Sequence, residues 1–160
     1  IIFAALILFL CFEYRYNFAV PGKIPEEITV FYTSLDNDPK TKVILELPMA
    51  NNKTFADPNL DRSGIDDSIY LLYALYHTKH LINGYHAFTP PQYTELGRSV
   101  SFNFPTEEKL NFLRDWGADT IVVHLEQYRN PDTGLGIVEA LRRMGLTEIQ
   151  HSGSLYAFRL

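Results

Sequence analysis

The 160-residue chain carries a formal charge of -5 at pH 7, with 46% apolar and 14% aromatic residues. That composition excludes a mainly disordered polymer, and the acidic balance leaves no basic field to hold a phosphate backbone, so nucleic acid is not an expected partner. The length suits one domain with one core, and the lone cysteine, Cys11, excludes an intrachain disulfide and a cysteine-rich zinc site.

Residues 1 to 12, IIFAALILFLCF, have no polar side chain apart from the thiol of Cys11. A bilayer core about 30 Å thick needs roughly 20 helical residues, so the run predicts the cut end of a transmembrane helix. It has no preceding initiator Met or basic stretch, unlike an intact secretory signal. Tyr14, Tyr16 and Phe18, interleaved with Arg15, have the character of an interfacial belt with a snorkelling cation, and Pro21-Gly22 ends the helix. Residues 1–20 are therefore read as a membrane segment and 21–160 as a soluble domain. A buried first helix of a globular domain is the alternative, and the absence of any polar face opposes it.

Pro25-Glu26-Glu27 predicts a helix start, with carboxylates near the positive end of the dipole and Ile28, Phe31, Tyr32 and Leu35 at helical spacing. Asp36-Asn37-Asp38-Pro39 stops it, and Lys42 to Pro48 reads as a compact strand. A polar loop over residues 49–65 leads to Asp66-Asp67-Ser68, which predicts the cap of a helix through Ile69, Leu72, Tyr73 and Tyr76. The short apolar pair Leu81-Ile82 reads as a strand. Asn83-Gly84 predicts a sharp turn, and Pro90-Pro91 an extended stretch without backbone donors.

Pro105 to Glu108 predicts a helix with Leu110, Leu113 and Trp116 on one face and a Gly117 cap, followed by a buried strand from Thr120 to His124. The same order repeats with Thr133 as N-cap, Gly145 as C-cap and a strand from Leu146 to His151, before a turn at Ser152-Gly153 and a last strand. Strands alternating with helices imply crossover connections. The expected fold is a small three-layer α/β domain with a mainly parallel sheet and a C-terminal antiparallel hairpin.

The chemistry-bearing residues are few. His77, His80 and His86 have spacings of three and six with no cysteine or carboxylate nearby, which favours histidines satisfied by solvent or core over a metal site. In open parallel sheets ligands sit outside the carboxyl ends of the strands. Glu46, Asn83 and His124 stand at three such ends, and their convergence would pair a carboxylate with an imidazole suited to acid and base steps. The alternative is a buried ion pair with no catalytic task. Gly134-Leu135-Gly136 lacks the preceding strand and third glycine of a dinucleotide fingerprint.

The strand ending VILELP, the aromatic stretch SIYLLYALYHTKHLINGY, the phrase FTPPQY and GADTIVVH before a last hairpin carry a resemblance. It covers nearly the whole chain. Together they resemble the soluble C-terminal domain of large polytopic bacterial membrane proteins of the glycosyltransferase C type, which are similar to mannosyltransferases using lipid-linked sugars. The matching positions are Glu46-Leu47-Pro48, His77, Lys79, Asn83-Gly84-Tyr85, Pro90-Pro91 and Val122-Val123-His124, while Thr78 and His86 depart from the pattern. The resemblance implies a catalytic acid in an upstream loop, so no catalytic residue is assigned to this chain.

It also implies a non-cytoplasmic position, with the upstream membrane protein, the membrane, and a glycan or lipid-linked sugar as partners. Glu46, His77, Asn83, Tyr85, His86 and His124 are the candidate binding residues, with no metal and no cofactor expected. Three functions follow: an accessory domain of such a transferase, a self-sufficient membrane-anchored hydrolase or transferase built on Glu46 and His124, or a structural protein-interaction module.

Overall fold

A computed structural model describes residues 24–49, 68–84 and 91–160. The expected membrane segment, the polar loop after Met49 and the stretch from Tyr85 to Pro90 lie outside the described residues. None of the described helices is long and apolar enough to cross a membrane.

Helix α1 (Glu26–Asn37) opens behind Pro25 with Glu26 and Glu27 in its first turn. Its buried residues, Ile28, Phe31, Tyr32 and Leu35, fall on one face at the expected spacing. Strand β1 (Val43–Leu47) follows, its first amides held by Asp119, whose carboxylate accepts from the Lys42 and Val43 backbone N–H groups at 3.0–3.1 Å. Helix α2 (Ser68–Tyr73) runs into a 3-10 turn (Ala74–Tyr76), then the two-residue strand β2 (His80–Leu81).

Helices α3 (Pro91–Ser101) and α4 (Glu107–Asp115) lead to β3 (Thr120–His124). After a second 3-10 turn (Leu125–Gln127) come α5 (Pro131–Arg143), β4 (Glu148–Ser152) and β5 (Leu155–Arg159). The five strands form one mixed sheet in the order β2-β1-β3-β5-β4. β1 pairs in parallel with both β2 and β3, and β5 lies antiparallel between β3 and β4. The molecule is thus the expected three-layer α/β domain.

Alternation along the strands divides the core in two. Leu45, Leu47, Ile121, Val123 and Phe158 pack with α3, α4 and α5. Ile44, Val122, Leu155 and Ala157 pack with α1 and α2. The two β1 neighbours, Leu45 and Glu46, therefore point to opposite layers, because successive strand side chains alternate.

Several local expectations need correction. Pro91 opens α3, because proline suits the first helical position, where its missing N–H needs no partner. Tyr93, Leu96, Gly97 and Val100 then form the buried stripe of a helix that the Pro-Pro reading left out. The N-cap of helix α5 lies three residues before Thr133: it is Asn130, its side-chain oxygen accepting from the Asp132 N–H, with Pro131 first in the helix. The strand expected over Leu146 to His151 is Glu148–Ser152, and the pair Leu81-Ile82 is displaced to His80–Leu81. Trp116 lies past the end of α4 and is partly exposed.

Gly117 and Gly145 adopt φ of 87° and 82°, as their cap roles require. Gly134 serves packing instead. A Cβ there would lie 2.8 Å from Leu125 Cδ2 and 2.9 Å from Tyr128 Cδ2, whereas Gly136 in the same helix has open space. Gly134→Ala should therefore destabilise the domain by about 1–3 kcal/mol through overpacking. Gly136→Ala should stabilise it by about 0.5–1 kcal/mol through helix propensity, and urea unfolding of the two variants tests the contrast.

Candidate functional site

The connection out of β1 leads to α2 on one face, and the connection out of β3 leads to α5 on the other. Adjacent strands whose connections leave in opposite directions create a crevice at their carboxyl ends, the usual ligand position in doubly wound sheets. Glu46 and His124 stand at that place. Register pairs Glu46 with Val122, so His124 lies two residues farther along β3 on the same face.

Their side chains meet. His124 Nε2 lies 2.8 Å from Glu46 Oε2, and both residues are completely buried. The Tyr32 hydroxyl, from α1, donates to Glu46 Oε1 at 2.9 Å and stands 3.0 Å from His124 Nε2. On the other side of the ring, His124 Nδ1 is 3.2 Å from Oε1 of Glu126, whose side chain is 37% exposed. The Tyr73 ring stacks on His124 at 5.7 Å and 11°, and Tyr70 approaches it at 5.0 Å.

Both His124 nitrogens therefore face carboxylates, an arrangement that only the doubly protonated imidazolium satisfies. Burial by itself depresses the His124 pKa, but hydrogen bonds to Glu126 and Glu46 and the charges of both carboxylates outweigh it and raise the pKa to about 9. Glu126 responds in the opposite sense: burial pushes its pKa up, the imidazolium more than compensates, and it ends below the usual carboxylate range. Burial, then the Glu46 charge, lifts the Tyr32 phenol well above its ordinary value, so it remains a donor.

Asn83 joins this cluster through the backbone. Its Oδ1 accepts from the Glu46 N–H at 2.6 Å and its Nδ2 donates to the Glu46 carbonyl at 3.0 Å. The side-chain amide thus imitates the next peptide of the short strand β2, and it fixes Glu46 from the outer side.

His77 is buried beneath α1, its ring stacked on Tyr32 at 5.4 Å and 28°. Its Nδ1 accepts from the Lys79 N–H at 3.2 Å, which places the proton of the neutral ring on Nε2. That Nε2 has no hydrogen-bond partner among the described residues. Burial pushes the His77 pKa down, against the pull of Glu46 and Asp36. Tyr85 and His86 lie outside the described residues.

Tyr32 and Glu126 are the members that sequence reasoning missed. Tyr32 was one of four residues at helical spacing, and its hydroxyl was the signal that it needed a polar partner inside. Glu126 falls in the turn beyond β3, two residues after His124.

Among the described residues no three His, Cys, Asp or Glu side chains are placed to share a metal ion. A groove of about 460 Å³ lined by Glu95, Ser99, Glu108, Lys109 and Phe112 lies between α3 and α4, on the opposite layer from Glu46 and His124. No protein-family model, curated protein or solved structure matches the chain.

Two expectations follow from the network. A histidine pKa raised on folding contributes stability that is full below its unfolded value of about 6.5 and is lost as pH climbs through about 9. The depressed His77 acts oppositely, costing stability as pH falls below about 6.5. Urea unfolding should therefore show a stability maximum near pH 6–7, and the alkaline decline between about 6.5 and 9 should vanish in Glu46→Gln/His124→Gln, which removes both charges. Tyr32→Phe takes the donor from Glu46 Oε1 and should cost about 1–3 kcal/mol with an unchanged denaturant slope.

Proposed function

We propose that this chain is a non-catalytic accessory domain of a polytopic membrane glycosyltransferase that uses a lipid-linked sugar. On this reading it stands on the non-cytoplasmic side and assists binding of the acceptor or glycan. The sequence resemblance motivates the context. The observation that carries the accessory role is the closure of the acid–base set: both Glu46 oxygens and both His124 nitrogens are engaged with one another, Tyr32 or Glu126. A general acid or base must reach the proton it moves, and these buried atoms are occupied by their neighbours.

One observation favours a second reading, a self-sufficient hydrolase or transferase built on Glu46 and His124. Their 2.8 Å separation is within direct proton-relay reach, and Glu126, which contacts the imidazolium, is partly exposed. A ligand acting on Glu126 would then be felt at His124 and Glu46.

Transfer from a lipid-linked sugar by the full-length membrane protein separates the two. The accessory reading expects Glu46→Gln/His124→Gln to keep kcat within about threefold, and removal of residues 24–160 to lower transfer by about tenfold or more. The catalytic reading expects the double variant to lose about 10²–10⁴ in kcat at unchanged abundance. Transfer that is indifferent to removal of the domain overturns the accessory reading.

A further inference from the structure

The edge of the sheet at β2 is held by little. It meets β1 over two register pairs, Val43 with His80 and Ile44 with Leu81, flanked by bonds from the His80 N–H to the Lys42 carbonyl at 2.8 Å and from the Ile82 N–H to the Ile44 carbonyl at 2.9 Å. The Asn83 amide adds its pair of bonds to Glu46. On the helix side, Asp36 Oδ1 accepts from the Thr78 N–H at 2.7 Å and the Thr78 hydroxyl at 2.8 Å, and Lys79 Nζ donates to the Asp38 carbonyl at 3.2 Å. A two-residue strand at the edge of a sheet is the kind of unit that opens well below the global unfolding free energy.

Beneath it sits the buried His77, with its Nε2–H unpartnered among the described residues. We propose that residues 77–83 form an acid-released flap on the sheet edge, with the enclosed His77 ring as its trigger and exposure of the outer edge of β1 as its result. This inference does not depend on the glycosyltransferase reading.

Among the described residues, the groups facing the ring are Tyr32 and Asp36 from α1, Glu46 from β1 and Lys79 from its own segment. Tyr73 and Tyr76 lie on the preceding helical turns, and burial lifts the Tyr73 phenol further above its ordinary value. Glu46 is already committed to His124 and Tyr32, so it offers a protonated His77 a distant charge and no free hydrogen bond.

Placing an imidazolium there buries a charge that has no acceptor at Nε2 among the described residues, which is costly, and lifting the segment hydrates it. Stronger acid also discharges Asp36, whose pKa the Thr78 backbone and hydroxyl bonds hold below the ordinary value. Loss of that carboxylate weakens the clamp on the same segment. The two titrations therefore act in one direction. His124 is already charged across this range and adds no competing change.

Native-state amide exchange of the full-length chain between about pH 7 and 5, corrected for intrinsic rates, reads the flap. Protection of the His80 and Ile82 amides should fall by about tenfold or more as pH drops, while the β3 amides from Ile121 to His124 stay protected. In His77→Phe the fall should disappear, and in His77→Gln, which keeps a polar side chain and cannot charge, it should disappear as well. An undiminished fall in either folded variant, a parallel fall in the β3 amides, or no fall in the wild type overturns the proposal.

Discussion

The ion pair between Glu46 and His124 is the constraint around which the α1 and α2 side of this domain is arranged. Two ionisable groups taken completely out of water are tolerable only when each hydrogen-bonding position is met. Here β1 supplies the carboxylate, β3 the ring, α1 a phenol and the turn after β3 a second carboxylate. A slip of one residue between β1 and β3 would turn either side chain toward the opposite layer and strand its partner. The pair thus specifies register in a way that Val and Ile, which tolerate repacking, do not. It also fixes the rotation of α1, because only one helical position brings the phenol over Glu46.

A second polar set holds the other end of the same strands. Arg159, near the end of β5, reaches Asp38, Thr41 and Thr120, and Asp119 accepts from the first amides of β1. The strands are therefore pinned by charged networks at both ends, with aliphatic packing between. The two networks differ in exposure: the Arg159 and Asp38 side chains are partly solvated, and Glu46 and His124 are not. Removing one partner from the outer set leaves a group that water can serve. Removing one from the inner set does not.

Much of this was legible in the sequence because it rests on period and punctuation. The α1 stripe, the compact β1 and β3 strands, the glycine caps at 117 and 145 and the closing hairpin follow from local rules. The meeting of Glu46 and His124 followed from topology, since polar residues at the ends of apolar parallel strands are brought to one edge. What escaped had physical reasons. Pro91 carries the same chemistry whether it stiffens a loop or starts a helix, and only the stripe after it separates the two. Asn83 was read as a residue facing ligands, yet its amide pairs with backbone, which no sequence pattern distinguishes. Gly134 belongs to no nucleotide fingerprint, and its role as a seat for Leu125 and Tyr128 is visible only in the packing.

Asn83 also bears on how the molecule behaves in company. An uncovered strand edge offers free backbone groups to any extended chain, and among the described residues β2 pairs with only the first part of β1. By binding the N–H and carbonyl of Glu46 with its own amide, Asn83 occupies the position where a foreign strand would continue the ladder. A side chain, unlike a strand, offers no onward row of donors and acceptors, so the sheet stops there. The residue that completes the setting of the buried pair thereby also caps the backbone of β1 at Glu46, where an intermolecular ladder would otherwise find a donor and an acceptor.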